Sequence, residues 1–548
     1  MAACVASTHM SLPQRPRVRA RAASCCANAP RAAAAAPAVV PPLPASGDLA
    51  PPPDIRAAVA AALWRGGLEP SGDWSAQQVE VDGVLPAGLR GTLYRLGPSR
   101  LRVGALRYAH WFDGDGGMFA LHVDGAAGSA AASHRVVQTP RLAAQAAKGE
   151  RGIAARGAFT QAAGGVLGNA LRPVATACNV APLLWAGKLL AASEGGAPFE
   201  LHPTTLQTLG PVNAWLRGGA LGFGAHFKID AATGTLYNIG LLPTGGLRVF
   251  AMDADGAELR AARLPLPHST FVHDFAQTAR FLVFVIPPWH ASRGDILRAV
   301  LGFAPVGAQF QWQPQRGTRC VVMRKADLRV VLDTTLADAF SLYHFVDAYE
   351  EDEEDEEAAA AAPRLRVRLC RLLGARSALE ANFGDMYGAV WSRGHFSDLV
   401  ELRIDLAAVS VQPPAPLAPA ALPGEFPTIS AAVPPGGRAR YVYQPAFSGE
   451  QPGSWWDCIQ KVDLATGAVT VRRFEHGDTP GEVSFVPDPR GDGGEDAGWL
   501  LCFVYRPERH GTDVLVLDAR RMDAEPLATL RLPRHAPYAI HGVWHPDE

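Results

Sequence analysis

An all-β fold closed into a ring is what this sequence predicts, and three observations predict it. From about residue 75 onward, short runs rich in Val, Leu, Ile, Phe, Tyr and Trp alternate with turns of Gly, Pro, Asp and Asn. Glycine (55) and proline (45) both exceed average usage, as many tight turns require. The β-type text continues through the 548-residue chain, so a sheet of that size must deal with its strand edges. A propeller does so by radial repetition, which leaves only short, protected edges. No WD-type or kelch-type signature recurs, so the repetition is one of structure and not of sequence.

The strand candidates follow in order: 91–95, 118–123, 183–192, 235–240, 247–252, 281–286, 399–406, 439–443, 467–474, 499–505 and 513–517. Each is a half-buried or fully apolar run between turn residues. Two stretches break the pattern. Residues 139–172 are Ala- and Gly-rich with helical spacing in parts, and 295–310 are apolar and bounded by charge. They are expected either as caps packed on the core or as an apolar surface that dips into a lipid face. A third break is the run of eight acids at 350–357, followed by five alanines and Pro363. Such a like-charge block is read as a solvated insertion. It lacks the interspersed glycine of a calcium loop.

Residues 1–47 contain no Asp or Glu and five arginines (15, 17, 19, 21 and 31), in a background of Ala, Ser and Pro. That is the chemistry of an organelle transit peptide, with chloroplast favoured by the Ala/Pro-rich stretch 32–46. The competing reading is a disordered Ala/Pro tail with no address. Residues 48–74 are then a linker or N-terminal extension, and 75–548 are one propeller domain carrying the insertion 350–363. No run of about 18 apolar residues is present, so no spanning helix is expected. A net charge of −2 gives no electrostatic case for nucleic acid. Three of the eight cysteines (4, 25, 26) lie in the leader. The other five (178, 320, 370, 458, 502) are scattered, which suits a reducing compartment better than a disulfide framework.

Four of the sixteen histidines stand in apolar or aromatic surroundings: His226 in Gly-Ala-His-Phe-Lys, His273 in Phe-Val-His-Asp-Phe, His344 in Leu-Tyr-His-Phe-Val and His541 in Ala-Ile-His-Gly-Val-Trp. Their spacing matches neither HExxH nor a Cys/His zinc pattern. By spacing alone they are candidates for an imidazole cluster and nothing more.

Several longer blocks narrow the reading. They are Gly-Thr-Leu-Tyr-Arg-Leu-Gly-Pro-Ser (91–99), His-Trp-Phe-Asp-Gly-Asp-Gly-Gly-Met (110–118), Gly-Lys-Leu-Leu-Ala-Ala-Ser-Glu-Gly-Gly-Ala-Pro (187–198), Val-His-Asp-Phe around His273, Gly-Glu-Phe-Pro-Thr-Ile (424–429), Arg-Tyr-Val-Tyr (440–443), Gly-Glu-Val-Ser-Phe-Val-Pro (481–487) and the closing Leu-Pro…His-Gly-Val-Trp (532–544). In content and order they resemble the carotenoid cleavage oxygenases. The resemblance implies a seven-bladed β-propeller with a helical and loop cap, and Fe(II) on its axis. It implies that His226, His273, His344 and His541 are the metal ligands. It also implies that Glu194, Glu425 and Glu482 accept hydrogen bonds from three of the four rings; which ring lacks a partner stays open. Imidazole suits Fe(II) without thiolate, and a carboxylate behind the ring fixes its tautomer.

The implied activity is cleavage of a double bond in a carotenoid or apocarotenoid by O2, giving carbonyl products. A monomer with peripheral membrane contact and no nucleic-acid partner is expected. Stilbene-type cleavage on the same scaffold, retinyl-ester isomerisation without oxidation, and a non-catalytic interaction propeller are the alternatives. His110, His268, His535 and His545 are set aside as structural. The chain departs from the family pattern at Asp347, where Asn is usual, at the extra Gly117, and at the acidic insertion. The last is expected to alter a loop near the substrate entrance.

Overall fold

A computed structural model describes residues 63–547 apart from 244, 267–269, 352–361, 374–395 and 452–454. Seven antiparallel sheets follow one another around a ring, as blades of a seven-bladed propeller. The inward-to-outward order is clearest in blade 3, whose strands are Lys228–Ile229, Leu236–Leu241, Leu247–Met252 and Glu258–Leu264. Its outermost strand alternates exposed and half-buried residues, as a strand with one solvated face must. The central strand of blade 4, Phe281–Ile286, is buried at all six positions because another blade stacks on each of its faces.

The core is organised by these stackings. Seven apolar clusters each join two neighbouring blades, and an eighth gathers at the axis. The period of two is visible in strand Arg90–Arg100 of blade 1. Leu93 points to the seam with blade 7, while Tyr94 and Leu96 take part in the seam with blade 2. Burial of such seams is the main favourable term holding the ring.

Both chain ends close it. Strand Glu80–Gly83 forms the outer edge of blade 7 by pairing with Ala528–Arg531. Strand His541–Pro546 forms the inner edge of blade 1 by pairing with Arg90–Arg100, with Leu96 opposite His541.

Most strand expectations fall inside observed strands. The run 183–192 does not remain one strand: it is the hairpin Ala181–Trp185 and Lys188–Ala192, turning at Ala186 and Gly187 in the left-handed region (φ 53° and 70°). The boundary at residue 75 also moves. Trp64 and Leu68 are buried in the axial cluster with Trp455 and Tyr538, and a strand begins at Trp74, so the end of the expected linker belongs to the body. The leader 1–47 lies outside the described residues.

The two helical excursions pack on each other. Helix Pro140–Lys148 starts on a Thr139 cap and a proline at its first turn. Helix Arg293–Val300 starts on a Ser292–Asp295 capping box. Arg156 donates to Asn169 O and Ala299 O, and Leu171 N to Val300 O, tying 153–172 to 293–303. The Asp-Gly-Asp block holds this unit to blade 1. Asp113 accepts from Ala158 N and Phe159 N at 2.7 and 2.9 Å, and Asp115 pairs with Arg100 and Arg141. Gly116 is required there: a Cβ would fall 1.8 Å from Cys178 O.

The described start of the acidic run lies away from His344. His344 is the fourth residue of Ser341–Glu350 and the acids begin at its last. Six residues of extended chain put Glu350, at the far end of the strand, roughly 20 Å from His344. Glu350 and Glu351 are spent on ion pairs with Arg280 and Arg366, and the rest lies outside the described residues. Asp347, the departure from Asn, pairs with the buried Arg368 and accepts from Ala439 N.

Candidate metal centre

Each of the four histidines lies at the axial end of a different blade's innermost strand. His226 and His273 precede Lys228–Ile229 of blade 3 and Ala276–Gln277 of blade 4. His344 lies within Ser341–Glu350 of blade 5, and His541 opens the inner strand of blade 1. The pairing register of the blade 5 strand shifts on both sides of Phe345. Such a bulge turns a side chain out of its regular alternation, here toward the axis.

The rings converge. One nitrogen from each of the four lies within 4.8 Å of all the others. His344 Nε2 is 3.3 Å from His273 Nε2 and 3.2 Å from His541 Nε2. His226 stacks edge-on against the other three, and its Nε2 is buried without a protein partner. Burial, reinforced by the neighbouring imidazoles, holds His226 and His344 well below the usual histidine range. Four imidazoles, each bringing one nitrogen to the same place, are a donor set for a divalent first-row cation.

The three remaining blades supply the carboxylates. Glu194 follows the second strand of blade 2, Glu425 leads into blade 6 and Glu482 lies in the inner strand of blade 7. His344 Nδ1 is 2.5 Å from Glu425 Oε2, and His541 Nδ1 is 2.8 Å from Glu482 Oε1. His273 Nδ1 is 2.9 Å from Glu194 Oε1, but that approach is off the line of a good hydrogen bond, and Glu194 is one-third exposed. The ring without a carboxylate is His226. A carboxylate accepting at Nδ1 puts the proton there and leaves Nε2 free to ligate.

The pairs are themselves held. Phe426 N donates to Glu425 Oε2 at 2.5 Å, from a backbone with φ 56°. A non-glycine residue in that region is strained, and such strain tends to gather at functional sites. The Phe426 ring packs on both His344 and His541. Burial pushes the Glu425 carboxyl up to about 7, against the opposing pull of Phe426 N–H and the neighbouring histidines. Asp274 ties three ligand-bearing strands together, pairing with Lys228 at 2.7 Å and accepting from Phe275 N and Phe345 N.

All seven residues singled out from the sequence are therefore brought together. The residues set aside behave differently. His110 caps the turn at Trp111–Asp113 and stacks on Phe159. His535 bonds Glu69 O and packs beside His510 and Tyr505. His545 lies on the exposed end of its strand, and His268 lies outside the described residues. Phe426, Asp274 and Arg95 were not singled out, although each lies within or beside a quoted block.

Around the centre, Phe112, Phe271, Tyr343, Phe426, Trp455 and Trp456 belong to one aromatic-rich cluster. This apolar wall limits water at the imidazoles and suits an apolar ligand.

The family model for retinal pigment epithelial membrane protein matches residues 69–546. Apocarotenoid-15,15'-oxygenase of Synechocystis sp. is 29% identical over 489 residues, covering 86% of this chain and 94% of that protein. A chloroplastic 9-cis-epoxycarotenoid dioxygenase of Arabidopsis thaliana is 26% identical, covering 85% and 78%. Isoeugenol monooxygenase of Pseudomonas putida is 25% identical, covering 85% and 94%. Among solved structures, cobalt-substituted Synechocystis apocarotenoid oxygenase superposes with a TM-score of 0.76 at 27% identity, over 89% of this chain and 99% of that one. With the family model spanning nearly the whole described body, and four imidazoles meeting on the axis of seven blades, the chain belongs to the carotenoid cleavage oxygenase family, that of retinal pigment epithelial membrane protein.

Proposed function

We propose that this protein is a non-haem Fe(II) dioxygenase that cleaves a double bond of a carotenoid or apocarotenoid with O2 to give two carbonyl products. The observation that carries the reading is the meeting of His226, His273, His344 and His541 at one point, with carboxylates behind three of them. These four rings would hold the iron, whose chemistry is to bind and activate O2 beside the polyene. Glu194, Glu425 and Glu482 keep the Nδ1 protons in place and offset charge without taking a position on the metal. Phe426 and Asp274 fix the ring angles, and the aromatic wall excludes water and lays an extended apolar substrate along the site.

The similarity to carotenoid- and apocarotenoid-cleaving enzymes supports that substrate class. The similarity to isoeugenol monooxygenase supports a second reading, cleavage of a phenylpropene or stilbene side chain at the same centre. Purified protein reconstituted anaerobically with Fe(II) is given carotenoids, apocarotenals and isoeugenol in air, and products are resolved by chromatography. Carbonyl products from the polyenes and loss of turnover in His344→Ala are expected. Turnover of isoeugenol alone would select the second reading, and full activity in His344→Ala would remove this residue from the ligand set.

An apolar surface fits a substrate drawn from a membrane. Leu167 (88% exposed), Leu171 (77%), Leu297 and Phe303 project from the joined excursions. This surface would rest on a lipid face, and the acid-free leader would direct the protein to a plastid. No helix among the described residues is long and apolar enough to cross a membrane.

A further inference from the structure

We infer that Arg95 is a positioning residue that sets the metal affinity of the centre by holding Glu482 behind His541; this rests on the metal reading above. Arg95 lies on the strand Arg90–Arg100, opposite Gly542, one step from His541 in the ladder. Its side chain crosses from blade 1 into blade 7. It is 2% exposed, and its guanidinium lies over the Phe503 ring at 4.8 Å.

A fully buried arginine is costly unless its charge and donors are used. Here the charge and one donor are used on one residue, while Nε is buried without a hydrogen-bond partner. Nη1 donates to Glu482 O at 2.8 Å, and Nη2 lies 3.7 Å from Glu482 Oε2. The carbonyl is available because the pairing register shifts between Pro480 and Val483, so Glu482 stands outside the ladder to Gly498–Arg506. Held by its carbonyl and by charge, Glu482 has its other oxygen, Oε1, on His541 Nδ1 at 2.8 Å.

Neighbouring glycines leave room for this crossing. A Cβ on Gly542 would come 3.2 Å from Arg95 Cγ, tighter than an ordinary contact, whereas one on Gly481 would stay at 3.6 Å from its Nη2. Among the described residues, neither Glu194 nor Glu425 pairs with an arginine. Arginine suits the role better than lysine, since its fork donates to the carbonyl with one nitrogen while the other keeps charge near the carboxylate, whereas an ammonium is a point charge.

The test is a double-mutant cycle read by Co(II) affinity, measured anaerobically by chelator competition. The proteins are the unsubstituted chain, Arg95→Lys, Glu482→Gln and the double variant, with thermal melting to show that each is folded. Arg95→Met is added as the stronger perturbation, and Arg95→Lys keeps the test open if it fails to fold. Arg95→Lys is expected to weaken Co(II) binding about 3-fold and Glu482→Gln up to about 10-fold. The double variant should bind like Glu482→Gln alone, because residues that act as a unit are not additive. Combined with Glu425→Gln, which acts on a different ring, the Arg95→Lys loss should instead multiply. Losses that multiply with Glu482→Gln, or an Arg95→Lys affinity equal to the unsubstituted chain, overturn the inference. Absence of Co(II) and Fe(II) binding in the unsubstituted chain overturns the proposed function itself.

Discussion

Replacing the three glutamates one at a time by glutamine should weaken metal binding in the order Glu425, then Glu482, then Glu194. The order follows from how each carboxylate is placed. Glu425 is buried and accepts from both His344 Nδ1 and Phe426 N at 2.5 Å. A hydrogen bond to a charged group contributes about 1.5–3 kcal/mol and a neutral one about 0.5–1.5 kcal/mol. Glutamine keeps an oxygen in place and loses the charge, so the His344 contact weakens by about 1.5 kcal/mol, or roughly tenfold in affinity. Glu482, at 11% side-chain exposure and 2.8 Å, should lose slightly less. Glu194, 33% exposed and off-axis, is screened by solvent and should lose only a few-fold.

A pH signature accompanies the first variant. The metal-free Glu425 carboxyl sits at about 7, so below that pH metal must displace a proton to recruit it. Affinity of the unsubstituted chain should therefore rise with pH up to about 7 and then flatten, and Glu425→Gln should lose this component of the rise. Chelator competition with Co(II) at several pH values reads both effects. Equal losses in all three variants, or the largest loss at Glu194, would refute the argument from burial and geometry.

Three further outcomes are expected. Asp113→Ala removes the acceptor of two backbone N–H groups and should cost about 2–4 kcal/mol of stability, with Asp113→Asn near half that; calorimetry that shows no drop would mean the excursion is anchored elsewhere. Burial lowers His535 from 6.5 to about 4, so the folded chain binds fewer protons than the unfolded chain between those values. Its contribution, at most about 3 kcal/mol, is complete above pH 6.5 and is lost as pH falls toward 4. His535→Gln should flatten that part of the stability curve in denaturant titrations, and an unchanged slope would refute the assignment. Leu167→Asp with Phe303→Asp should abolish sedimentation with anionic and zwitterionic vesicles without shifting the melting temperature; undiminished sedimentation would place the lipid-facing surface elsewhere.

The legible part of the fold was the part whose local pattern carried its answer. Phe281–Ile286 is apolar throughout because neighbouring blades cover both faces, and it read as a strand directly. Arg364–Leu373 was harder. Its arginines alternate with apolar residues, and they pair with acids on neighbouring strands, such as Glu401 and Asp398. The hairpin at Ala186–Gly187 was hidden because both arms are apolar. The four histidines could be assembled only through the family blocks, since convergence from four blades leaves no spacing rule in one dimension. Which glutamate stands behind which ring, and that His226 has none, was out of reach for the same reason. Arg95 stood in plain view between Tyr94 and Leu96, but an arginine in an apolar strand signals a buried charge without naming its partner.

The strand that shuts the ring also carries His541, and its mate is among the earliest strands in the chain. During synthesis the blades can stack in turn as they emerge from the ribosome, but the fourth imidazole arrives only with the final joining step. Assembly of the four-imidazole site is thereby deferred until that strand has joined, and a polypeptide stalled before His541 would present three rings and an open seam. A cation held by all four rings would then report a closed ring, and a chain caught before that point offers the apolar flanks of blades 1 and 7 to chaperones.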